Sequence, residues 1–123
     1  MKKKDFDVYR REVVPEVSGV GIEIGFGSGL NLPHYKNVTK LYALDPSNEL
    51  YKFAQEHIAK VAFLVGHMRS SAEHISLPDN HLDFAVSTWS LCSIPNPEIA
   101  LQEIFRVLKP GARFSFIEHG KSP

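Results

Sequence analysis

The chain is poor in cysteine, in excess charge of either sign and in long apolar runs. Cys92 is the single cysteine among 123 residues, which excludes a disulfide framework and any zinc site built on cysteines. Lysine and arginine number 14, as do aspartate and glutamate, so the net charge gives no argument for a nucleic acid or an anionic membrane as partner. No apolar run reaches the roughly 20 residues that span a bilayer. We therefore expect a cytoplasmic protein that binds no nucleic acid and has no membrane span.

The length and composition are those of one folded domain. Hydrophobic residues make up 43% of the chain and charged residues 23%, both near the averages of globular proteins. We expect a polar, helical segment at 1–17 and a single domain at 18–123. The six histidines are scattered without compact ligand spacing, so no metal site is expected. A net charge of zero leaves little repulsion between copies and favours self-association.

Short apolar runs alternate with helical patterns along the chain. The runs predict strands at 20–24, 40–44, 61–65, 84–88 and 114–118, and the first three are closed by Gly25, Asp45-Pro46 and Gly66. This alternation predicts an α/β fold with about five strands in a mostly parallel sheet. Ligands of such sheets bind beyond the carboxyl ends of the strands.

Two helices carry clear end signals. Ser47 is placed to cap the first of these helices. The apolar positions of this helix recur at helical spacing at Leu50, Phe53, Ala54 and Ile58. A second helix begins at Asn96-Pro97 and is stopped by Lys109-Pro110-Gly111. The apolar stripe of this second helix is predicted at Leu101, Ile104, Phe105 and Leu108.

The turn after the first predicted strand is rich in glycine. Gly25, Gly27 and Gly29 stand at alternate positions, and glycine lets a backbone turn sharply and approach a ligand closely. Asp45 ends the second predicted strand, where a carboxylate can accept hydrogen bonds from both hydroxyls of a ribose. A strand, a glycine loop, a second strand and a terminal acid in this order favour a ligand that contains a nucleoside.

Two other interpretations of this segment stay open. In one, the glycines serve only a tight turn and Asp45 caps the following helix. In the other, the loop binds the dinucleotide of a nicotinamide-dependent oxidoreductase. The dinucleotide motif requires a small residue at the position of Leu30. It also requires a helix after the loop that is longer than Pro33 permits. This departure disfavours the dinucleotide.

The alternating-glycine form resembles motif I of the class I S-adenosylmethionine-dependent methyltransferases. Residues 71–83, SAEHISLPDNHLD, are similar to the family's D-A-E-x-L-P-F-P-D-x-x-F-D stretch, and residues 106–111, RVLKPG, are similar to its R-V-L-K-P-G-G segment. Residues 91–94, LCSI, and 117–120, IEHG, resemble a subgroup that includes thiol methyltransferase-like proteins and quinone- and phospholipid-methylating types. The resemblance covers residues 18–120.

This resemblance implies a Rossmann-like, doubly wound sheet with strand order 3-2-1-4-5. It also implies S-adenosylmethionine as cofactor and S-adenosylhomocysteine as product. Asp45 would hold the ribose hydroxyls and Pro46 would lie against the adenine. Ser71 stands where the family usually has an acid that accepts from the adenine amino group, and Thr88 would sit beside the sulfonium. The implied cofactor-binding residues are Glu23, Gly25, Phe26, Gly27, Gly29, Asn31, Asp45, Pro46, Ser71, Ala72 and Thr88.

The resemblance also predicts a difference from the family. Its sheets normally carry two more strands after the fifth, and this sequence stops at Pro123. We therefore expect a sheet truncated at its C-terminal side, with the segment 113–118 as an edge that can pair with another copy. His119 follows the fifth predicted strand and is the one candidate general base; the alternative is a histidine without a catalytic role.

The sequence leaves three hypotheses of function to be tested. The leading hypothesis is direct in-line methyl transfer to a small-molecule acceptor, which needs no nucleophile–base pair because the donor is already activated. The second is a module that binds the cofactor without turnover, since the substrate-side strands are absent. The third is a nicotinamide-dependent oxidoreductase.

Overall fold

The structure is a computed structural model that describes residues 16–88 and 94–117. Its strands are β1 (Ser18–Ile24), β2 (Asn37–Leu44), β3 (Leu64–Met68), β4 (Leu82–Thr88) and β5 (Leu108–Ile117). They form one sheet in the order β3-β2-β1-β4-β5, and all four pairings are parallel. This confirms the predicted α/β fold and the strand order 3-2-1-4-5.

In the described part of the chain, three helices and one 3₁₀ turn flank this sheet. The helices are α1 (Asn48–Phe53), α2 (Gln55–Lys60) and α3 (Pro97–Val107), and the 3₁₀ turn is Leu32–His34. Ser47 caps α1, since its Oγ accepts from the Leu50 N–H at 3.1 Å. Asn96 caps α3, since its Oδ1 accepts from the Ile99 N–H at 3.3 Å. Both predicted helix starts are confirmed.

Alternate residues of β2 feed two separate apolar cores, because successive side chains of a strand point to opposite faces of the sheet. Leu44 joins Ile22 and Ile104 in the core beneath α3. Leu41 and Ala43 join the core on the other face, with α1, α2 and the 3₁₀ turn. The glycine loop and Asp45 lie where β1 and β2 leave this double-sided core.

The third and fifth strands differ from the prediction. The run 61–65 was expected as a strand ended by Gly66, yet β3 spans Leu64–Met68 with Gly66 inside it. The reason is its pairing with β2, which matches Lys40 to Leu64 and Leu44 to Met68. The fifth strand begins at Leu108 rather than 114, with an irregular register between Leu82 and Phe84 of its partner.

The predicted helix after Ser47 is divided at Ala54, and its apolar stripe is partly wrong. Ala54 is buried, whereas Leu50 is 43% and Phe53 73% exposed. The stripe of α3 is also rotated: Ala100, Ile104 and Val107 are buried, and Phe105 is 61% exposed.

Several predictions fall outside the described residues. They concern the helical segment within 1–15, the motif residues 91–93 and the candidate base His119. Thr88 ends β4 as predicted, but its side chain is not among those described.

Candidate functional site

Backbone hydrogen bonds hold the glycine loop against the end of β2. The N–H groups of Gly25 and Phe26 both donate to the Leu44 carbonyl oxygen, at 2.9 and 3.2 Å. Gly25, Gly27 and Gly29 have φ values of 72°, 58° and 79°, a left-handed region that favours glycine. The alternating glycines therefore turn the chain sharply at the carboxyl ends of β1 and β2.

The Asp45 carboxylate joins this loop to the start of α1. Its Oδ2 accepts from the Gly27 N–H at 3.0 Å, and its Oδ1 accepts from the Ser47 N–H at 2.9 Å. The residue is 9% exposed. An ionised carboxylate can accept about four hydrogen bonds, so Asp45 shapes the turn and keeps acceptor capacity for a ligand. The turn-building and ribose-binding interpretations are therefore compatible.

His67 on β3 fixes the backbone of Asp45. Its Nε2 donates to the Asp45 carbonyl oxygen at 2.9 Å, because a carbonyl can only accept. The Tyr51 ring stacks on the His67 ring with centroids 3.9 Å apart and planes 7° from parallel. The position of Asp45 is thus set by contacts from β3 and α1 as well as from the glycine loop.

A cavity of about 420 Å³ opens beyond the carboxyl ends of β1 and β2. Five predicted cofactor-binding residues line it: Gly25, Asp45, Pro46, Ser71 and Ala72. The other described lining residues are Ile24, Leu44, Glu73, Ile94 and Pro95. Residues far apart in sequence are therefore brought together at one opening, and that opening lies where α/β sheets bind ligands.

The other predicted residues whose side chains are described do not line this cavity. The Gly27 N–H donates to the carboxylate of Asp45, which does line it. Phe26, Gly29 and Asn31 are buried in the loop. Glu23 is also buried, and its Oε1 accepts from the Tyr35 hydroxyl at 2.6 Å. Burial, and then the charge of Glu23, hold the pKa of Tyr35 well above its usual range, so the phenol remains a donor to Glu23.

Glu73 is a lining residue that the sequence interpretation missed. Its N–H donates to the Ser71 Oγ at 3.1 Å, and its Oε2 accepts from the Asn96 N–H at 3.4 Å. Glu73 therefore ties the loop after β3 to the start of α3. The Ser-Ala-Glu run is the signal that could have found it, since a serine hydroxyl readily accepts from an N–H two residues onward.

Arg106 on α3 anchors the same loop from below. Its guanidinium donates to the carbonyl oxygens of Ile75 and Leu77, at 2.7 and 2.9 Å. Glu103 accepts from Arg106 Nε at 2.7 Å and from the Ile75 N–H at 2.9 Å. Chiefly because of the Arg106 bond, the pKa of Glu103 is lowered. We call Glu103 and Arg106 the α3 clamp; it fixes the segment that carries Ser71 and Ala72.

Unused polar groups around the cavity fit an adenine nucleoside. Within the described residues, nothing accepts from the N–H of the buried Ala72, and the buried Ser70 hydroxyl next in the chain to Ser71 has no partner. Buried polar groups are normally hydrogen-bonded, and a purine ring offers acceptors as well as an amino donor. A Cβ placed on Gly27 would find no atom nearer than 3.9 Å, so space stays open beside the loop.

Comparison with known proteins agrees with this geometry. A family model described as "Methyltransferase domain" matches residues 22–116. The thiol S-methyltransferase TMT1B of Rattus norvegicus is 33% identical over 108 residues, which is 83% of this chain and 43% of that protein. The chain thus spans about half the length of the curated relatives it matches.

Two solved structures share the fold. The YcgJ protein of Bacillus subtilis has a TM-score of 0.80 at 20% identity, covering 96% of this chain and 51% of its own. A SAM-dependent methyltransferase of Aquifex aeolicus has a TM-score of 0.68 at 24% identity, covering 98% and 69%. At these identities the likeness shows the fold alone.

S-adenosylmethionine is the cofactor that the family match and this site imply. No helix in the described part of the chain is long and apolar enough to cross a membrane.

Proposed function

The chain belongs to the methyltransferase domain family, and we propose that it transfers the methyl group of S-adenosylmethionine directly to a small-molecule nucleophile. The observation that carries the proposal is the cavity shared by Gly25, Asp45, Pro46, Ser71 and Ala72. These residues come from three separate turns, and a tight bend alone would not need them at one opening. The family match favours this reading over a nicotinamide-dependent oxidoreductase.

The contribution of the protein is binding and alignment. S-adenosylmethionine, when bound, supplies a methyl group already activated on a sulfonium. Asp45 orients the ribose end, and the Ala72 N–H and Ser71 hydroxyl orient the base. Ile24, Leu44 and Ile94 give the cavity apolar walls. Holding two reactants in line can supply much of the rate acceleration by itself.

A thiol is the acceptor that we propose first. The relative of Rattus norvegicus named above is a thiol S-methyltransferase. A thiol with a low pKa is largely ionised near neutral pH and attacks as thiolate, so it needs no general base from the protein. His119 is proposed as a general base only for acceptors that must lose a proton before they attack.

The test uses three matched acceptors that differ in one non-hydrogen atom: benzenethiol, phenol and aniline. Calorimetry first measures the affinity for S-adenosylhomocysteine and for reduced nicotinamide dinucleotide. Formation of S-adenosylhomocysteine from S-adenosylmethionine is then followed with each acceptor. We expect tight S-adenosylhomocysteine binding and methylation of benzenethiol first.

Each alternative predicts a different result. Binding of S-adenosylhomocysteine without turnover on any acceptor would support the cofactor-binding module. Tighter binding of the nicotinamide dinucleotide would overturn the cofactor assignment itself. Turnover on phenol or aniline alone would keep the enzyme and remove the thiol.

The proposal extends to assembly and setting. β5 pairs only with β4 among the described residues, and its outer edge is proposed to contact a second copy. We also propose that the protein works in the reducing cytoplasm. A helical segment at 1–17 is proposed to precede the cofactor-binding domain at 18–123.

A further inference from the structure

A second and larger cavity lies away from the cofactor cavity. It measures about 700 Å³ and lies between the 3₁₀ turn, the amino end of β2 and the chain from the end of α2 to Phe63. No described residue lines both cavities. Its size is within the range of about 300–1,000 Å³ that is usual for small-molecule sites. Methyl transfer as proposed above makes no use of it.

The floor of this cavity is apolar and well packed. Leu32, Tyr35 and Val38 are buried side chains that line it. The Tyr35 ring meets the Phe63 ring edge to face, with centroids 6.1 Å apart and planes at 90°. The Tyr35 hydroxyl is turned to Glu23, so the ring is fixed in place. An apolar group that enters the cavity would therefore meet a preformed surface.

The rim of the cavity is cationic. Lys36 and Lys60 are exposed lining residues, and the half-buried His57 lines it as well. The described lining residues include no acid. Neither lysine forms an ion pair with any described residue. By contrast, Arg106, Lys109 and Arg113 each pair with a carboxylate, so the two unpaired lysines at one opening leave a local positive potential.

From this combination we propose that the cavity binds a small amphipathic anion, an alkyl or aryl chain with one terminal carboxylate. The apolar chain lies on Tyr35, Val38 and Phe63, and the carboxylate stays at the rim with Lys36 and Lys60. Neither half is sufficient: the lysines alone are solvated, and the floor alone does not select charge. The proposal concerns a site distinct from the cofactor cavity and does not depend on methyl transfer.

Octanoate is the probe, with octan-1-ol and inorganic phosphate as the two half-ligands. Titrations of the full chain by calorimetry and by amide NMR give affinity and location. We expect octanoate to bind at least about tenfold more tightly than either half-ligand at low salt, and to lose affinity as salt screens the lysines. The amide signals of Val38, Thr39 and Phe63 should shift.

The decisive variant is the double substitution Lys36→Gln with Lys60→Gln. Both side chains are exposed, so folding should be unaffected, and the affinity for octanoate should fall by about fivefold or more. Lys52→Gln, an exposed lysine on α1 outside the cavity, is the matched control and should leave the affinity unchanged. Asp45→Ala should also leave it unchanged, which separates this site from the cofactor cavity.

Three outcomes would overturn the proposal. Octan-1-ol or phosphate could bind as well as octanoate. The double variant could bind octanoate as well as the parent chain. The amide shifts could map to the exposed apolar side chains Phe53 or Phe105 instead of the cavity.

Discussion

Asp45 combines two tasks in one carboxylate, since it holds the Gly27 and Ser47 N–H groups and faces the cofactor cavity. We expect Asp45→Ala to weaken S-adenosylhomocysteine binding by about 1.5–3 kcal/mol, because hydrogen bonds from the ribose to a charged group are lost. Calorimetry at neutral pH measures this. Glu56→Ala, which removes an exposed carboxylate from α2, is the control. Unchanged affinity in a folded Asp45→Ala protein would remove this residue from the cofactor.

Gly27 and Gly29 share a left-handed backbone but differ in what surrounds them. A Cβ on Gly27 would enter open space, whereas one on Gly29 would meet Ala54, Phe26 and Leu32 at 3.1–3.3 Å. We therefore expect Gly27→Val to abolish S-adenosylhomocysteine binding with a modest loss of thermal stability. Gly29→Val should mainly lower the thermal stability, because overpacking strains the loop against Ala54, between α1 and α2. Thermal unfolding and calorimetry on both variants separate the effects, and normal binding by Gly27→Val would reduce the loop to a simple turn.

The hydrogen bond from Tyr35 to Glu23 should appear in the pH dependence of stability. The pKa of Tyr35 is raised in the folded state, so its contribution is complete below the unfolded pKa of about 10 and is lost as pH rises through the folded value. Tyr35→Phe should lower the free energy of unfolding by about 1–3 kcal/mol at neutral pH. Urea unfolding between about pH 8 and 11 should show this deficit shrinking at alkaline pH; a constant deficit would contradict the assignment.

At the scale of elements, local signals were sufficient to predict where helices begin. They were not sufficient to predict the bounds of strands, which depend on pairing with a neighbouring strand. Ser47 and Asn96 predicted their helix starts because a cap is made within three residues. The bounds of β3 depend on its pairing with β2, and the sequence of the run 61–65 carries no information on that pairing. Phe63, which precedes the strand, is apolar because it packs against Tyr35. Helical spacing placed Phe53 and Ala54 on the same stripe, and it could not show that only Ala54, next to the glycine loop, is buried.

The α3 clamp gives a prediction about the loop that carries Ser71 and Ala72. Arg106→Met should lower the free energy of unfolding more than Arg113→Met, because Arg106 binds two loop carbonyls and Glu103, while Arg113 has one exposed pair with Glu16. The pKa of Glu103 is lowered in the folded state, so its contribution is complete above the unfolded value of about 4.3 and is lost as pH falls from there through the lower folded value. The deficit of Arg106→Met should therefore narrow below about pH 4.

Amide hydrogen exchange gives an independent measure of the clamp. The Ile75 N–H donates to Glu103, and its exchange should speed up in Arg106→Met while amides of β1 stay protected. Equal exchange at Ile75 in both arginine variants would show that the loop does not need the clamp.

At the scale of the whole molecule, motif residues predicted half of the cofactor cavity. Gly25, Asp45 and Ala72 follow strands, and a parallel sheet brings such residues to one edge. Ile94 and Pro95 line the cavity because β4 and the segment before α3 return to that edge. That return is a property of the packed sheet; the motif 91–94, which ends at Ile94, resembles a family subgroup but does not itself place this residue at the cavity.

The last prediction concerns association through β5. Within the described residues its outer edge carries no partner strand, and an open edge is a template for pairing with another chain. Phe105 of α3 is 61% exposed and meets Phe114 of β5 edge to face, with centroids 6.0 Å apart. Covering such apolar area contributes about 25 cal/mol per Å², and zero net charge opposes contact little.

We therefore expect a dimer or larger oligomer in sedimentation equilibrium at micromolar concentration, and a shift toward monomer in Phe105→Lys. Phe53→Lys is the matched control, because Phe53 is also exposed but lies on α1. This helix follows β2, which β1 and β4 separate from β5 in the sheet. A parent chain that stays monomeric would refute the association. An oligomer that survives Phe105→Lys but is lost in Phe53→Lys would place the contact on α1, since only the surface whose burial holds the copies together responds to a buried charge.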